Sequence, residues 1–542
     1  MSIDLSLTRL QHLLPSLPYT RPTLHIAGTN GKGSTTSLLS SILLASAPPL
    51  RVGRFNSPHL VSVLDCITLN DAPVSLEAYK HARGEVEEAD RERGTGLTSF
   101  EVLTMTALRI FENARVDIVV LEVGLGGRLD ATNVVGDECI VVSALAAVDL
   151  DHQAFLGGTV GLIAREKAGI ARRGKPFVLG RQGHGEVLGV VSDVVGGVGG
   201  VLSPALEVQL EEKGTDPVHA LLPLHGAHQL DNLGTALGVI DALLSRAEQE
   251  PGLVSLDLKK RITLETIARG IQNAKWPGRL SFHTISVPIT APSSTTEPNP
   301  VPESVDLLVL ADGAHNPASA ATLGAYIQSI LRPPSSSSRS PSSSSASPSS
   351  HSSSTPAPQQ TSQPDAVHIT YILSLSHSPP KTPLQTLGPI LVPLPVPAAA
   401  AAVAAPTPAL ASVSVALLRF TPPEGMPWAK PVPPLELEGV VRGLMPEVEA
   451  GDLWVESEPK PRPEAERQKE GGKEGRKEEG RNRALEDALR WAAGRQVEFE
   501  RLLGDGETGG GSRRGRRGRG LVVLAGSLYL VADFYRLLEG GF

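Results

Sequence analysis

The stretch Thr23–Ser34, which reads TLHIAGTNGKGS, is the most informative part of this chain. Leu24–Ala27 within it is short and apolar, as a buried strand should be, and residues 35–46 have a helix-like pattern. A strand, a glycine-rich loop and a helix in this order are typical of a phosphate-binding loop. Backbone N–H groups in such a loop attract anionic oxygens, and Lys32 adds a positive charge. We therefore predict that this loop binds phosphate groups.

The loop departs from the commonest phosphate-binding pattern, because Gly33 separates Lys32 from the hydroxyl residues that follow. Ser34 or Thr35 can still offer a hydroxyl to a metal ion. The alternative interpretation is a flexible turn before a helix. A turn, however, gives no reason for a lysine among three glycines.

The composition restricts the class of protein. The chain has 542 residues, enough for two to four domains, and its net charge of -8 does not favour nucleic acid as a partner. Its two cysteines, Cys66 and Cys139, lie in apolar runs and indicate a reducing compartment. No apolar run is long enough to span a bilayer, and the N-terminus lacks the basic region and apolar core of a signal peptide. We expect a cytoplasmic protein, with a mitochondrial pool left open, and no membrane partner.

Short apolar runs alternate with helix-like segments, which predicts two α/β units with mostly parallel sheets. Residues 1–284 form the first unit, residues 285–304 a Pro/Ser/Thr-rich linker, and residues 305–542 the second unit. In such sheets ligands bind at the carboxyl ends of the strands, so the loops there should converge. The predicted strands are Leu24–Ala27, Asp117–Val123, Cys139–Ala144, Phe177–Leu179, Val305–Leu310, His368–Leu375, Val413–Phe420 and Leu521–Leu524.

Four segments of biased composition interrupt the second unit. Residues 333–364 are almost all Ser and Pro, residues 392–411 are rich in Pro and Ala, residues 456–483 are charged, and residues 504–520 are rich in Gly and Arg. Such segments cannot bury enough apolar surface to order themselves, so we predict disordered surface insertions.

Two side chains that end predicted strands suggest a metal site. A carboxylate such as Glu122 is costly at the end of a buried strand unless it is paired or bound to metal. His152 follows the third predicted strand and would lie at the same sheet edge. Carboxylate and imidazole together suit a divalent ion that also holds phosphates. The alternatives are a salt bridge from Glu122 to an arginine such as Arg128, and a histidine that is merely satisfied in the core.

The segment from Thr159 to Arg172 is predicted to be a helix with Thr159 as its N-cap. The helical period places Lys167 on the apolar stripe, between Ile163 and Ile170. A lysine on a buried face must extend to solvent, find a partner or lose its proton. The sequence therefore leaves open a neutral, nucleophilic amine at this position.

Further polar motifs follow along the chain. Residues 222–237 contain His225, His228 and Asn232 before a predicted helix, and Arg279 follows Trp276 in KWPGR. Asp312 and His315 end a strand of the second unit. Taken singly, each has a structural explanation as a cap, a turn or a packing residue.

Taken together, eight motifs in this order resemble the folylpolyglutamate synthase/dihydrofolate synthase family, a branch of the Mur-ligase superfamily. The resemblance covers residues 1 to about 330, and after that only fragments at 420–428 and 526–531 match. It implies a Mur-ligase-like P-loop ATPase domain followed by a smaller Rossmann-like α/β domain. The motifs are GTNGKGS, SPHL at 57–60, TSFE at 98–101, EVGLGGRLDATN at 122–133, His152 with LGGT and EKAGI, HGAHQLDN, WPGR and DGAHNP.

The resemblance also implies roles for individual residues. ATP would contact Thr29, Asn30, Gly31, Lys32, Gly33, Ser34, Asn232, Arg279, Asp312 and His315. Mg²⁺ would be held by Ser57, Glu122 and His152. Lys167 matches a lysine that is carbamylated in the family, and it joins Lys32 and His152 as a catalytic residue. The pterin substrate would contact Thr98, Ser99, Phe100, Glu101, Arg128, Leu129 and Asp130.

The implied reaction is ATP-dependent ligation of L-glutamate to 7,8-dihydropteroate through an acyl phosphate. The Arg128-Leu129-Asp130 form of the fourth motif and the EGMPW fragment most resemble fungal-type monofunctional dihydrofolate synthases. A folylpolyglutamate synthase, alone or bifunctional, that extends tetrahydrofolate is the alternative. A non-catalytic ATP-binding scaffold is an alternative of another class, and intact Lys32 and Glu122 argue against it. The expected partners are the small-molecule substrates alone, and we expect a monomer.

Overall fold

A computed structural model describes residues 6–208, 220–289, 304–331, 366–377, 379–391, 411–423, 426, 429–458, 483–504 and 519–541. The described strands form two sheets, one of eight strands and one of six. They are β1 Thr23–Ala27, β2 Val52–Phe55, β3 Ile67–Leu69, β4 Ala72–Pro73, β5 Ile118–Glu122, β6 Ile140–Leu145, β7 Pro176–Leu179, β8 Val201–Pro204, β9 Ser281–Pro288, β10 Ser304–Ala311, β11 Val367–Leu373, β12 Ala411–Leu417, β13 Leu453–Val455 and β14 Arg519–Ala525.

Helices cover both sheets. Those of the first unit are α1 Thr8–Leu13, α2 Lys32–Leu44, α3 Leu76–Arg93, α4 Ser99–Asn113, α5 Gln153–Leu156, α6 Val160–Ala168, α7 Glu186–Val198, α8 His228–Arg246, α9 Pro251–Val254, α10 Leu258–Arg261 and α11 Leu264–Asn273. Those of the second unit are α12 Pro317–Leu331, α13 Pro383–Ile390, α14 Pro434–Leu444, α15 Arg483–Gly504 and α16 Leu528–Gly540.

Both sheets are mostly parallel. The first has the order β4-β3-β2-β5-β1-β6-β7-β8, and only the pairs β2–β3 and β3–β4 are antiparallel. The second has the order β13-β12-β11-β14-β10-β9, and only β9–β10 is antiparallel. This arrangement confirms the predicted fold class.

The central strand β5 explains why its sequence is a continuous apolar run. Ile118 and Val120 pack into a core cluster with α2 and α8, whereas Val119 and Leu121 pack into a cluster with α3 and α4. Successive side chains of a strand point to opposite faces, so a strand covered on both faces needs apolar residues throughout. Glu122 ends this run, and it is the one charged residue of the strand.

All eight predicted strands are confirmed, with ends within three residues of the prediction. The short strands β2, β3, β4, β8 and β13 were not predicted, because runs of two to four residues carry too little pattern. The helix predicted from Thr159 ends at Ala168, where Gly169 follows, but Thr159 does cap it by accepting a hydrogen bond from the Leu162 amide.

The predicted linker at 285–304 begins too early. Strand β9 runs through residues 285–288 and pairs with β10 along its whole length. Ile285 and Val287 are buried while their neighbours in the strand are exposed, which is the two-residue period of an edge strand. The proline- and threonine-rich composition that follows obscured this pattern. The division of the chain into domains at these residues stays a prediction.

The four predicted insertions lie largely outside the described residues, which include only their edges. At these edges the predicted limits are wrong by up to three residues. Ala411 already belongs to β12, and Arg519 and Gly520 belong to β14. Glu456 pairs with Arg419, at 3.3 Å between Oε1 and Nη1. Among the described helices, none has the length and apolarity needed to cross a bilayer.

A close helix–helix contact generates a stability prediction. A Cβ at Gly270 in α11 would lie 2.5 Å from the Ile42 Cα in α2, so Gly270→Ala must push the two helices apart. We expect its free energy of unfolding to fall by about 1–3 kcal/mol. Gly84→Ala in α3 is the control, because a Cβ there meets no atom within 4 Å. That variant should gain up to about 1 kcal/mol from helix propensity. Equal effects in urea unfolding would contradict the packing argument.

Candidate active site

A cavity of about 980 Å³ lies where the carboxyl ends of the parallel strands meet. The loops that follow β1, β2 and β6, together with Glu122 at the end of β5, form one wall. The loop after β10 and the helix α16 of the second unit form another. Parallel sheets place their ligand sites at this edge, so the position agrees with the topology.

Fourteen of the predicted site residues line this single cavity. They are Thr29, Asn30, Gly31, Lys32, Gly33, Ser34, Ser57, Glu122, His152, Lys167, Asn232, Arg279, Asp312 and His315. Thr35 does not line it, and its buried hydroxyl has no hydrogen-bond partner among the described residues. Of the two hydroxyls considered for a metal ion, the geometry therefore favours Ser34.

The glycine loop is anchored to the loop after β6. The amides of Thr29 and Asn30 both donate to the Ala147 carbonyl, at 2.8 and 3.2 Å. The Lys32 Nζ donates to the Thr29 carbonyl at 3.3 Å, which bends the side chain back over the loop. Gly31 precedes α2 with a φ of 88°, a conformation that favours glycine. The amides of Lys32, Gly33 and Ser34 precede the first intrahelical hydrogen bond, from Thr35 to Gly31, so they and the Lys32 ammonium are the donors that the loop offers to an anion.

Glycines in this loop also permit a close approach of other elements. A Cβ at Gly31 would lie 2.1 Å from the Asn232 Oδ1 in α8. A Cβ at Gly33 would lie 2.3 Å from the Trp276 ring. The extra glycine between Lys32 and Ser34 is therefore required by the packing of Trp276 against the loop.

Glu122 is buried beside Lys32, and its Oε1 lies 3.7 Å from the Lys32 Nζ. Its Oε2 accepts a hydrogen bond of 2.5 Å from the Asn56 Nδ2, and the carboxylate also accepts from the Ser57 amide. Burial raises the pKa of Glu122, while Lys32 and Asn56 oppose that shift. The alternative salt bridge to Arg128 is wrong, because Arg128 pairs with Glu166 at 3.0 Å.

His152 adopts a left-handed conformation with a φ of 51°, immediately before α5. Reduced hydration in the cavity, together with the charges of Lys167 and Lys32, lowers its pKa to about 4, although Asp151 acts in the opposite direction. The ring is therefore neutral near pH 7 and keeps a lone pair for a metal ion. Strained backbone of this kind is tolerated where the surroundings fix it.

Lys167 is buried on the predicted stripe of α6, only 4% exposed. Its Nζ donates to the Gly28 carbonyl at 2.8 Å, so the side chain reaches the glycine loop. Burial lowers the pKa of Lys167 to about 7, and the charge of Lys32 acts in the same direction. Near neutral pH a large share of this amine is therefore uncharged.

Asp312 joins the loop after β10 to the loop that carries Arg279 and Leu280 before β9. Its Oδ2 accepts from the Leu280 amide and its Oδ1 from the Ala314 amide, both at 2.8 Å. Burial raises its pKa, and the charge of Arg279 opposes this. His315 Nδ1 lies 2.8 Å from the Gly313 carbonyl. These contacts fix Arg279 and His315 at the cavity wall.

The seven residues predicted to contact a pterin do not line this cavity. Thr98 and Glu101 form the capping box of α4, and Glu101 also pairs with Arg9 at 3.0 Å. Asp130 is buried and accepts hydrogen bonds from the Leu125 amide and from Thr132. Phe100 does approach it, since its ring would meet a Cβ at the cavity-lining Gly124 at 2.3 Å. Their contact with a substrate stays a prediction.

The oxygen and imidazole donors at this cavity fit a hard divalent cation. Glu122 offers a carboxylate, Ser57 a hydroxyl and His152 a neutral ring nitrogen. In the described ranges, no group of three or more His, Cys, Asp or Glu side chains forms an all-protein metal site. Mg²⁺ commonly takes only one or two carboxylates and completes its shell with waters and substrate phosphates. The donor set therefore suits Mg²⁺ bound together with a nucleotide.

Several cavity residues were missed by the sequence reasoning. Arg54, Asn56 and Asp151 lie beside predicted residues in the chain, and that adjacency was the available signal. Lys381, which contacts the cavity-lining Asp151 without lining the cavity itself, gave no signal, because it follows β11 in a stretch without a recognisable motif. It reaches Asp151 across the two units, with 3.1 Å between Nζ and Oδ1.

Comparisons with known proteins give the family. No protein-family profile matches the chain. The dihydrofolate synthetase of Saccharomyces cerevisiae is 32% identical over 451 residues, which cover 81% of this chain and 87% of the relative. The probable dihydrofolate synthetase of Schizosaccharomyces pombe is 33% identical over 343 residues, covering 61% and 73%.

A solved structure has the same fold. It is a bifunctional folylpolyglutamate synthase/dihydrofolate synthase with Mn, AMPPNP and L-glutamate bound, and it matches with a TM-score of 0.59 at 22% identity, covering 99% of this chain and 95% of that one. The likeness confirms the Mur-ligase-like architecture. From the yeast relative's identity and coverage, the chain belongs to the folylpolyglutamate synthase/dihydrofolate synthase family.

The low pKa of Lys167 generates a prediction about stability and pH. An unfolded lysine holds its proton up to about pH 10, whereas the folded protein releases it near about pH 7. Between these values the unfolded state binds more protons, so stability rises with pH. In CO₂-free buffer the free energy of unfolding, relative to that of Lys167→Met, should climb from about pH 7 to about pH 10 and be constant below. Urea titrations test this, and parallel curves for the two proteins would contradict it.

Proposed function

We propose that this protein is a dihydrofolate synthase, which ligates L-glutamate to 7,8-dihydropteroate and converts ATP to ADP and phosphate. The observation that carries the proposal is the buried Glu122–Lys32 pair beside a glycine loop, in a cavity lined by both α/β units. Family membership supports an ATP-dependent ligase. The names of the two fungal relatives support dihydropteroate as the acceptor.

In the first half-reaction the γ-phosphoryl group of ATP passes to the pteroate carboxylate, giving an acyl phosphate and ADP. The glycine loop binds the phosphates through its N–H groups, and Lys32 stabilises the negative charge that develops on the transferring group. Glu122, Ser57 and His152 would hold Mg²⁺, which would supply positive charge to neutralise the phosphates. Asn232, Arg279, Asp312 and His315 position the nucleotide.

In the second half-reaction the amine of L-glutamate attacks the acyl carbon. Phosphate leaves, and the nitrogen loses a proton as the amide forms. Water would hydrolyse the acyl phosphate, so the cavity must exclude it during this step. Contacts between the two units support such a closure, because Asn316 and Lys381 of the second unit both reach the cavity-lining Asp151.

We also propose that Lys167 is carbamylated by CO₂ in the active enzyme. A neutral amine adds CO₂ and loses a proton, and the resulting carbamate is an anion with two oxygens. This replaces a positive charge close to Lys32 by a negative group that can accept hydrogen bonds or ligate the metal. The depressed pKa and burial of Lys167 support the modification.

The same proposal includes the compartment, the oligomeric state and the position of the pterin site. We assign the enzyme to the cytoplasm, since both cysteines are buried and unpaired, which suits a reducing compartment. We also assign it a monomeric state, with its small-molecule substrates as its only partners. The pterin site formed by residues 98–101 and 128–130 is proposed next to Gly124, at the edge of the cavity.

Substrate choice is tested with purified full-length protein. Dihydropteroate, ATP, Mg²⁺ and L-glutamate should together yield dihydrofolate, ADP and phosphate, as followed by chromatography. Tetrahydrofolate in place of dihydropteroate should be a poor acceptor, because the Arg128-Leu129-Asp130 motif resembles that of dihydrofolate synthases. Extension of tetrahydrofolate with no reaction of dihydropteroate would establish the folylpolyglutamate synthase alternative. ATP turnover that ignores both acceptors would support a scaffold.

Carbamylation is tested by ¹³C NMR with labelled bicarbonate. We expect a carbamate signal in the wild type near neutral pH, and none in Lys167→Ala or Lys167→Arg. Both variants should fold, and both should lose at least about 100-fold in kcat, the order of loss when a catalytic electrostatic group is removed. Arginine cannot form the carbamate, so the positive charge that Lys167→Arg keeps should not restore activity. A fully active alanine variant without a carbamate signal in the wild type would refute the role.

A further inference from the structure

The buried guanidinium of Arg54 has no part in the chemistry proposed above, yet it faces the same cavity. It lies at the end of β2, two residues before Asn56. Its Nε and Nη2 contact the Asp71 Oδ1 at 3.2 and 3.1 Å, and its Cζ lies 5.3 Å from the Trp276 ring centroid. Asp71 and Trp276 thus hold the guanidinium in place, and its third nitrogen, Nη1, has a partner of its own.

That remaining nitrogen determines how Asn56 is oriented. The Arg54 Nη1 donates to the Asn56 Oδ1 at 3.1 Å, and a guanidinium can only donate. The amide oxygen of Asn56 must therefore face Arg54, and its NH₂ group must face the other way. There it donates to the Glu122 Oε2 at 2.5 Å and to the Thr36 Oγ1 at 2.7 Å.

The consequence is a fixed carboxylate. Oε2 of Glu122 is committed to Asn56, and Oε1 is the oxygen that faces Lys32 at 3.7 Å. Rotation of Glu122 would break the bond to Asn56, and rotation of Asn56 would set its NH₂ group against the Arg54 guanidinium. Thr36 donates in turn to the Gly33 carbonyl at 2.9 Å, so the same chain of bonds reaches the glycine loop.

We propose that Arg54 is a positioning residue for the metal site, acting through Asn56 to hold Glu122 with Oε1 turned towards Lys32 at the glycine loop, where the cation would bind. The inference rests on the proposed function, since it takes Glu122 as a metal ligand. Partners of this kind that orient a ligand typically change metal affinity by about 10–100-fold. Arg54 touches neither the reacting atoms nor the metal in this account.

The test measures Mn²⁺ affinity of the full-length protein by electron paramagnetic resonance, in the presence of a non-hydrolysable ATP analogue. We expect Arg54→Met to weaken Mn²⁺ binding by about tenfold or more. Lys175→Met is the matched control, because it removes a comparably buried ion pair, Lys175 to Glu250 at 2.7 Å, that does not line the cavity. It should leave Mn²⁺ affinity unchanged.

Two further variants keep the test decisive. Arg54→Lys keeps a positive charge but not the planar fork that serves Asp71 and Asn56 together, so it should also weaken Mn²⁺ binding if Arg54→Met fails to fold. A double-mutant cycle combines Arg54→Met with Asn56→Ala. The two losses in Mn²⁺ affinity should be strongly non-additive, because each variant alone already breaks the hydrogen-bond chain from Arg54 through Asn56 to Glu122. Additive losses would contradict action through Asn56.

Glu122→Gln separates this inference from the proposed function. If Glu122→Gln weakens Mn²⁺ binding and folded Arg54 variants do not, the inference is overturned and the metal assignment stands. If neither weakens it, both are overturned. If both weaken it while Lys175→Met does not, the positioning role is established.

Discussion

The structure depends on satisfying one buried carboxylate, that of Glu122, at the end of the central strand of the first sheet. Glu122 follows four apolar residues that are covered on both faces, so the strand itself offers it no water. A buried charge that loses its partner destabilises the fold by about 3–5 kcal/mol. Lys32, Asn56 and the Ser57 amide supply those partners.

Each of those partners brings another element to the same place. Lys32 comes from the glycine loop, Asn56 and Ser57 from the end of β2, and Arg54 holds Asn56 while contacting Trp276. The hydrogen bonds and ion pair that satisfy this carboxylate therefore bring the phosphate loop, the metal donors and the WPGR loop close together. The second unit is joined through Asp151, whose carboxylate contacts Lys381 and Asn316. His152, His315 and Lys381 hold the pKa of Asp151 below its ordinary value although burial acts to raise it.

Much of this could be predicted from the sequence, and the reasons are physical. Buried parallel strands need continuous apolar runs, so β1, β5 and β6 were recognisable, and the residues that end them were expected to meet at one edge. The helical period placed Lys167 on a buried face, and it is buried. The antiparallel strands β3 and β4, at one end of the first sheet, are too short to leave a pattern.

Other features depend on tertiary contacts that no local pattern records. The role of Asn56 follows from the identity of its neighbours across the sheet, and Lys381 reaches Asp151 from 230 positions away in the chain. Among the predicted pterin residues, Thr98, Glu101 and Asp130 are engaged in capping and loop-stabilising hydrogen bonds, and their contact with a substrate stays a prediction.

The central claim is that this cavity activates a carboxylate by phosphorylating it. The most direct measurement uses dihydropteroate labelled with ¹⁸O at both carboxylate oxygens, with ATP, Mg²⁺ and L-glutamate, and analyses the released phosphate by mass spectrometry. An acyl phosphate transfers one carboxylate oxygen to phosphate, so the account predicts one ¹⁸O atom in each phosphate formed with product. Unlabelled phosphate, released at the same rate as dihydrofolate, would contradict it.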